Sequence, residues 1–390
     1  MARILIGWEL GGNRGHALRM AQLARALGAQ GHEVSLALQR IDALAGGEAA
    51  GTEVWQAPLT PRLLTHGPRG AAGLPATMGD ILARLGFDDA QLVAAMIRGW
   101  HRLLQAVGAD LVIAEYAPFL LLAARGRVPS ISVGTGFQTP PADMASFPAL
   151  IERPPLIDEA LTLAAVNAGL AAAAGGEGLA ALPQLFAADR VVTETFAELD
   201  PYSEHRREPL ALPVPACFDA EAGRGEEVFV YAPETMTADA PFWRGLAESK
   251  LPVRVHVPRA PAAVRSAVEG LGLAFEPEPL PFALIARRSR LLVSHGGHGF
   301  VCAGMAAGLA HVIAYLDIEK YAYGRALARH GLGGHVAMAG IQPKPFAASL
   351  QRLYGDEGLI GRAKAAAPVL LARGQQPMEA AVLEAVAALV

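Results

Sequence analysis

The chain has 390 residues, 52% of them hydrophobic, with 42 glycines, 28 prolines and a formal net charge of −4. That length exceeds what one compact core usually holds, so two domains are expected. The slightly acidic balance, with arginines paired only at 206–207 and 287–288, excludes a nucleic-acid-binding surface; two cysteines exclude a disulfide framework and point to a reducing compartment, the cytoplasm.

In chain order, Met1–Gly7 is too short an apolar run for a signal peptide and reads as a first strand. Further strands are predicted at 34–38, 53–56, 110–115, 130–134 and 189–193, with helices at 15–30, 88–107, 117–125 and 156–173. The apolar run 161–182 is interrupted by Asn167 and by glycines at 175, 176 and 178, so it is no membrane span; peripheral membrane contact stays open. The segment 58–80, crowded with Pro, Gly and Thr, reads as a long loop, either lining a site or lying on the surface. A proline-rich stretch, 209–216, reads as a stiff linker outside any sheet. Strands then follow at 227–232, 252–257, 273–276, 290–294, 311–316 and 334–338, and helices at 240–249, 260–270, 281–288, 298–308, 319–331, 343–354, 356–372 and 375–389. Alternating β and α segments that restart once predict an α/β chain of two doubly wound parallel-sheet domains facing a cleft. The predicted boundaries are 1–208, the linker 209–216, 217–374, and a final helix 375–390 that can return to the first domain.

Two places carry candidate chemistry. After the first strand, Gly11-Gly12-Asn13-Arg14-Gly15-His16 leads into a helix. His16 stands where loop becomes helix, and imidazole there can accept a hydroxyl proton near neutral pH. Glu115, ending the strand 110–115 on the same sheet edge, is the candidate to orient it. The glycine run is not the dinucleotide fingerprint G-x-G-x-x-G, because Asn13 replaces a required glycine and no acid closes the next strand. The second place is Ser294-His295-Gly296-Gly297-His298-Gly299, between an apolar strand and an Ala-rich run reaching Gly308. Glycines let backbone approach a ligand, and a helix start offers unpaired N–H groups and a positive dipole end, which suits a diphosphate. No Asp-x-Asp is present, and His295 with His298 lacks a nearby Cys or acid, so no metal site is expected.

Together these residues resemble the family 1 glycosyltransferases of the GT-B fold. The opening glycine-His stretch (Gly12, Asn13, Gly15, His16) and Gly31-His32-Glu33-Val34 resemble the family's first-domain elements, and Pro277 to about Gly333 resembles its donor-binding segment without gaps. By that resemblance His295 and the turn Gly296, Gly297, His298, Gly299 and Phe300 meet the diphosphate, and Pro279-Leu280 meets the base. Glu319 and Lys320 fall on the acidic-Gln pair that holds the sugar, and Thr235 on a small hydroxyl residue near the phosphates. Three positions depart from the pattern: Gly299-Phe300 replaces a Ser or Thr, Ala303 a ribose-binding Glu, and Lys320 a neutral amide.

The resemblance implies a metal-independent, inverting transfer of a sugar from a uridine or thymidine diphosphate donor, a substrate and not a cofactor, to an acceptor hydroxyl. No cofactor is implied. His16 is then the base and Glu115 its orienter. Two other readings stay open: a nucleotide-sugar epimerase of the same fold using Glu115 and Glu319, and a nucleotide-sugar-binding protein without catalysis.

Overall fold

The computed structural model describes every residue except 11–13, 45, 66–73, 174–176, 216–217, 224, 234–235 and 237–239. The chain divides into two compact units. The first comprises Met1–Glu194, Tyr202–Ala211 and Gln376–Val390, and the second Thr195–Pro201 and Leu212–Gln375.

The first unit holds strands β1 (Arg3–Trp8), β2 (Glu33–Leu38), β3 (Glu53–Gln56), β4 (Leu111–Glu115), β5 (Ser130–Gly134), β6 (Arg190–Glu194) and β7 (Leu210–Ala211) in the order β3-β2-β1-β4-β5-β6-β7. Every pairing is parallel. All five residues of β4 and of β5 are buried; β4 is an apolar run, Leu111–Ala114, closed by Glu115, whereas β5, Ser130-Ile131-Ser132-Val133-Gly134, alternates small polar with apolar residues although both of its faces are covered. Around the sheet lie α1 (Arg14–Ala29), α2 (Pro61–Thr65), α3 (Met78–Leu82), α4 (Ala90–Val107), α5 (Pro118–Ala124) and α6 (Glu159–Ala173). Asp89 caps α4 by accepting from Gln91 and Leu92 N–H, and Gly108 closes it at φ 63°. Val93, Met96, Ile97, Trp100 and Leu104 form its buried stripe.

The second unit holds β8 (Glu227–Tyr231), β9 (Val253–His256), β10 (Ala274–Phe275), β11 (Ser289–Ser294), β12 (Ala310–Tyr315) and β13 (Gly333–Ala337), again all parallel, in the order β10-β9-β8-β11-β12-β13. Its helices are α7 (Ala240–Glu248), α8 (Ala262–Gly270), α9 (Phe282–Arg288), α10 (His298–Ala307), α11 (Ile318–Arg329), α12 (Pro343–Tyr354) and α13 (Glu357–Leu371). The last helix, α14 (Met378–Ala387), belongs to the first unit, where Val382 and Val386 join the core with Leu23, Leu27, Ile131 and Val192.

The proline-rich stretch differs from its expectation. Leu210 and Ala211 pair with Thr193 and Glu194 as the edge strand β7. Pro209 and Pro213 flank those two residues, so the missing N–H groups fall outside the ladder. The segment 58–80 also contains α2 and the start of α3, and it is tied down at its end. Asp80, fully buried, accepts from Ala76 N–H (2.7 Å) and Thr77 N–H (3.3 Å) with one oxygen. Its other oxygen accepts from Leu156 N–H (2.8 Å) and Ile157 N–H (3.1 Å). No described helix is long and apolar enough to cross a membrane.

Asp80→Ala leaves those four backbone donors without an acceptor. The expected loss is roughly 2–4 kcal/mol of stability in urea unfolding of the first unit. A change under about 0.5 kcal/mol rejects Asp80 as the tie between the two loops.

Candidate active site

In both sheets the winding reverses beside the first strand of the unit, between β1 and β4 and between β8 and β11. Ligands of such sheets bind in the crevice beyond the carboxyl ends of the strands at that point. Both groups of candidate residues lie there.

In the first unit, Trp8 ends β1 and is in register with Glu115 at the end of β4. His16 enters from the first turn of α1, and its Nδ1 lies 2.7 and 2.9 Å from the two oxygens of Glu115. The carboxylate is fully buried and accepts only, so Nδ1 carries the proton and donates. Nε2 is then the basic nitrogen. The Trp8 ring lies parallel to the imidazole, 5.2 Å between centroids, and its own N–H is fixed on the Leu10 carbonyl at 2.5 Å. Arg19, one turn along α1, donates to Glu115 at 3.2 Å and pairs with Glu194, the last residue of β6, at 2.8 Å. Gly15 is exposed, and a Cβ there meets nothing within 4 Å.

Glu9, just past β1, is buried and accepts from Phe119 N–H (2.9 Å) and Leu120 N–H (2.6 Å) at the start of α5. Burial pushes its carboxyl up to about 8, against those two hydrogen bonds. Leu10 N–H reaches the Tyr116 carbonyl at 3.1 Å, and Tyr116 sits at φ 49°. The exits of β1 and β4 are thus bonded together directly beside His16 and Glu115. A non-glycine residue in the left-handed region here is strain held by its surroundings.

In the second unit, Ser294 ends β11 opposite Tyr231 of β8. Its hydroxyl accepts from Gly296 N–H at 3.0 Å and pairs with His311 Nε2 of β12 at 2.8 Å. Gly296 has φ 88°, and a Cβ on it stands 2.7 Å from Ile313 and 3.2 Å from the Lys320 Cβ. Only glycine fits there. Gly297 precedes α10 with no side-chain cap, so the first N–H groups of that helix are open to a ligand. A cavity of about 580 Å³ lies alongside, lined by Phe229, Tyr231, His256, Pro279, Leu280, Phe282 and Phe300 among others. Phe300 stacks on Tyr231 with centroids 5.0 Å apart. Beyond the turn, Asp317 caps α11 through Lys320 N–H (3.0 Å). The buried Lys320 ammonium pairs with Glu319, whose other oxygen accepts from the Tyr323 hydroxyl at 3.0 Å. Burial works against the charge on Lys320, but Glu319 and Asp317 outweigh it and hold the ammonium above its usual range.

No family model and no curated protein matches the sequence. Solved structures do. The spinosyn rhamnosyltransferase SpnG matches with a TM-score of 0.66 over 98% of this chain and 99% of its own, at 17% identity. The calicheamicin glycosyltransferase CalG4 matches with 0.68 over 100% and 98%, at 19% identity. The glycosyltransferase SnogD from Streptomyces nogalater gives 0.62 over 100% and 99%, at 17% identity. SpnG is also solved with spinosyn aglycone and with thymidine diphosphate. This chain has the GT-B fold.

Within that fold the residues singled out in the sequence fall into groups. His16 and Glu115 meet directly. His295, Gly296, Gly297, Gly299 and Phe300 lie on one turn and the helix it opens, with Glu319 and Lys320 beside it and Pro279 and Leu280 on the cavity wall. His298 departs from its expectation. Its ring turns inward, buried, with Nε2 3.0 Å from the Thr195 hydroxyl and Cys302 Sγ at 3.4 Å, so only its backbone belongs to the turn. Gly12, Asn13 and Thr235 lie outside the described residues. Among the described residues, no group of three or more His, Cys, Asp or Glu side chains converges as a metal site. Arg19, Glu194, Glu9 and His311 were not found from the sequence. Arg19 had a signal, one helical turn from His16, and Glu194 had another, a carboxylate ending a strand just as Glu115 does.

Two imidazoles of the second unit are held neutral. Burial, then the Lys320 charge, pushes His295 down to about 4, and burial, then His295, pushes His311 down to about 3, both from an ordinary 6.5. Below pH 6.5 the unfolded chain takes up these protons and the folded unit does not, so stability rises with pH between about 4 and 6.5 and levels off above. His311→Gln is therefore expected to lower the slope of unfolding free energy against pH by nearly one proton, ~1.4 kcal/mol per pH unit, between pH 5 and 6. Urea titrations at several pH values measure this, and an unchanged slope shows that His311 is not held neutral.

Proposed function

We propose that this chain is a glycosyltransferase that moves a sugar from a nucleoside diphosphate donor to an acceptor hydroxyl. The observation that carries the reading is the bond from His16 Nδ1 to the buried Glu115, 2.7 Å, at the reversal point of the first sheet. It leaves Nε2 as a base with a fixed tautomer and a ring plane clamped by Trp8. Nε2 takes the proton of the acceptor hydroxyl while that oxygen forms a bond to the anomeric carbon. The bond from that carbon to the diphosphate oxygen breaks, and its electron pair leaves with the nucleoside diphosphate. Attack opposite the leaving group inverts the anomeric centre. Glu115 stabilises the imidazolium formed.

In the second unit the open N–H groups at the start of α10 receive the charge developing on the leaving diphosphate. We assign this charge stabilisation to the helix start and the neighbouring Lys320, without a metal ion. The aromatic cavity beside Pro279 and Leu280 is suited to the base. Support for transfer over epimerisation comes from the fold's solved relatives, which are named as glycosyltransferases, one of them solved with an aglycone and with thymidine diphosphate. The cytoplasm is the proposed location, since two cysteines in 390 residues make no disulfide framework.

A panel of uridine and thymidine diphosphosugars, with and without candidate acceptors, tests the reading. Release of nucleoside diphosphate that depends on acceptor supports transfer. An altered sugar without release favours epimerisation, and binding without either favours a non-catalytic protein. His16→Ala is expected to lower turnover at least about a thousand-fold with donor affinity changed less than about two-fold; wild-type turnover removes His16 as base. His295→Ala is expected to weaken thymidine or uridine diphosphate binding about ten-fold by calorimetry, and unaltered affinity places the diphosphate elsewhere.

A further inference from the structure

Glu115 is fully buried, yet two donors reach it, His16 and Arg19. The Arg19 guanidinium does not stop there. It extends past β5 to Glu194 at the end of β6, 2.8 Å away, so one cation links carboxylates from two strands that are not neighbours. We propose that Arg19 and Glu194 are positioning residues for the His16 base: Arg19 fixes Glu115, and Glu194 cancels the Arg19 charge so that Glu115 keeps its full pull on the imidazole. This rests on the assignment of His16 as the base.

The reasoning is a charge count. With His16 neutral, the cluster of Glu115, Glu194 and Arg19 carries one net negative charge; with His16 protonated it is neutral. A cluster that becomes neutral as the proton arrives favours the imidazolium that base catalysis must form. Removing Glu194 alone leaves Arg19 and Glu115 neutralising each other, and protonating His16 then creates a net positive cluster in a buried place. Removing Arg19 has the opposite effect.

Other charges near α1 are engaged elsewhere. Arg14 pairs with Glu48, and Arg25 donates to the Glu48 carbonyl. Asp42, on the turn packed against α1, pairs with Arg40. Glu379 of α14 accepts from Gln22. Glu33 of β2 is exposed at its far end, and Arg3 of β1 pairs with Asp110. Glu9 is turned to the start of α5. None of these bonds to His16 or Glu115.

The decisive part of the test, a titration, needs no substrate. The full chain carries 11 histidines, and carbon-13 labelling of their rings with His16→Ala as the assignment control isolates the His16 signal in a pH titration. Glu194→Gln is expected to lower the titration midpoint of His16 by about half a pH unit or more, and Arg19→Gln to raise it by a similar amount, with the double variant near wild type. Arg19→Lys keeps the charge but cannot bridge both carboxylates, so its midpoint stays while turnover of the active donor falls roughly ten-fold. Thermal melting identifies variants that lose the fold, and Glu194→Gln, nearly isosteric, is the decisive one. Midpoints that do not move, or that move in the same direction for both single variants, overturn the proposal and leave the pair as a brace only. If His16→Ala turns over at the wild-type rate, the base assignment fails instead, whatever the midpoints do.

Discussion

A parallel sheet whose winding reverses must send the connections of two neighbouring strands to opposite faces, which leaves a crevice at their carboxyl ends. That constraint operates twice in this chain, between β1 and β4 and between β8 and β11. The two central pairs of residues follow from where those four strands stop. Trp8 and Glu115 are register partners, so a helix leaving β1 brings His16 back over the carboxylate. Ser294 and Tyr231 are register partners, so the glycine turn after β11 opens beside an aromatic residue.

The two places solve the burial of polar groups differently. In the first unit charge is retained and balanced. Glu115 is buried without exposure, yet its oxygens meet an imidazole N–H and a guanidinium, and the guanidinium meets a second carboxylate. An isolated buried carboxylate loses far more hydration than one neighbour restores. In the second unit the imidazoles lose their charge instead. His295 and His311 are held neutral, and the turn offers backbone N–H groups and one ammonium already paired with Glu319. The first arrangement suits a group that must take up a proton, and the second suits the reception of a negative charge without proton transfer.

Apolar runs made strands such as β1, β4 and β11 legible, and alternation of apolar with polar residues made β5 and β9 so. Glu115 was legible as the end of such a run, and His16 as a residue where the loop after β1 becomes a helix. What escaped was pairing between distant residues. Nothing in the local pattern says that Asp80 collects four backbone N–H groups from two loops, or that Ser294 rests on His311. Leu210 and Ala211 escaped because their flanking prolines dominate the composition, although neither residue of the ladder is proline. His298 was misplaced for a reason that the sequence does contain. It shares a helix face with Cys302 and Met305, and that face is buried, so its ring follows them into the core.

The departures at 299 and 300 acquire a physical meaning in the same geometry. Gly299 leaves open space around its Cα, so the first turn of α10 can be approached from that side by backbone contact alone. Phe300, in place of a hydroxyl residue, stacks on Tyr231 and meets Phe229 and Phe282, so it builds the cavity wall and does not address an anion. Where the family it resembles carries side-chain hydroxyls, this half therefore presents aromatic surface and main-chain N–H groups. Main-chain donors are fixed by Gly296, whose φ of 88° and contacts with Ile313 and Lys320 admit no side chain. The residue that tolerates no change in this turn is thus the one without a side chain, and the polar precision of the site resides in the backbone that Ser294 and His311 hold in place.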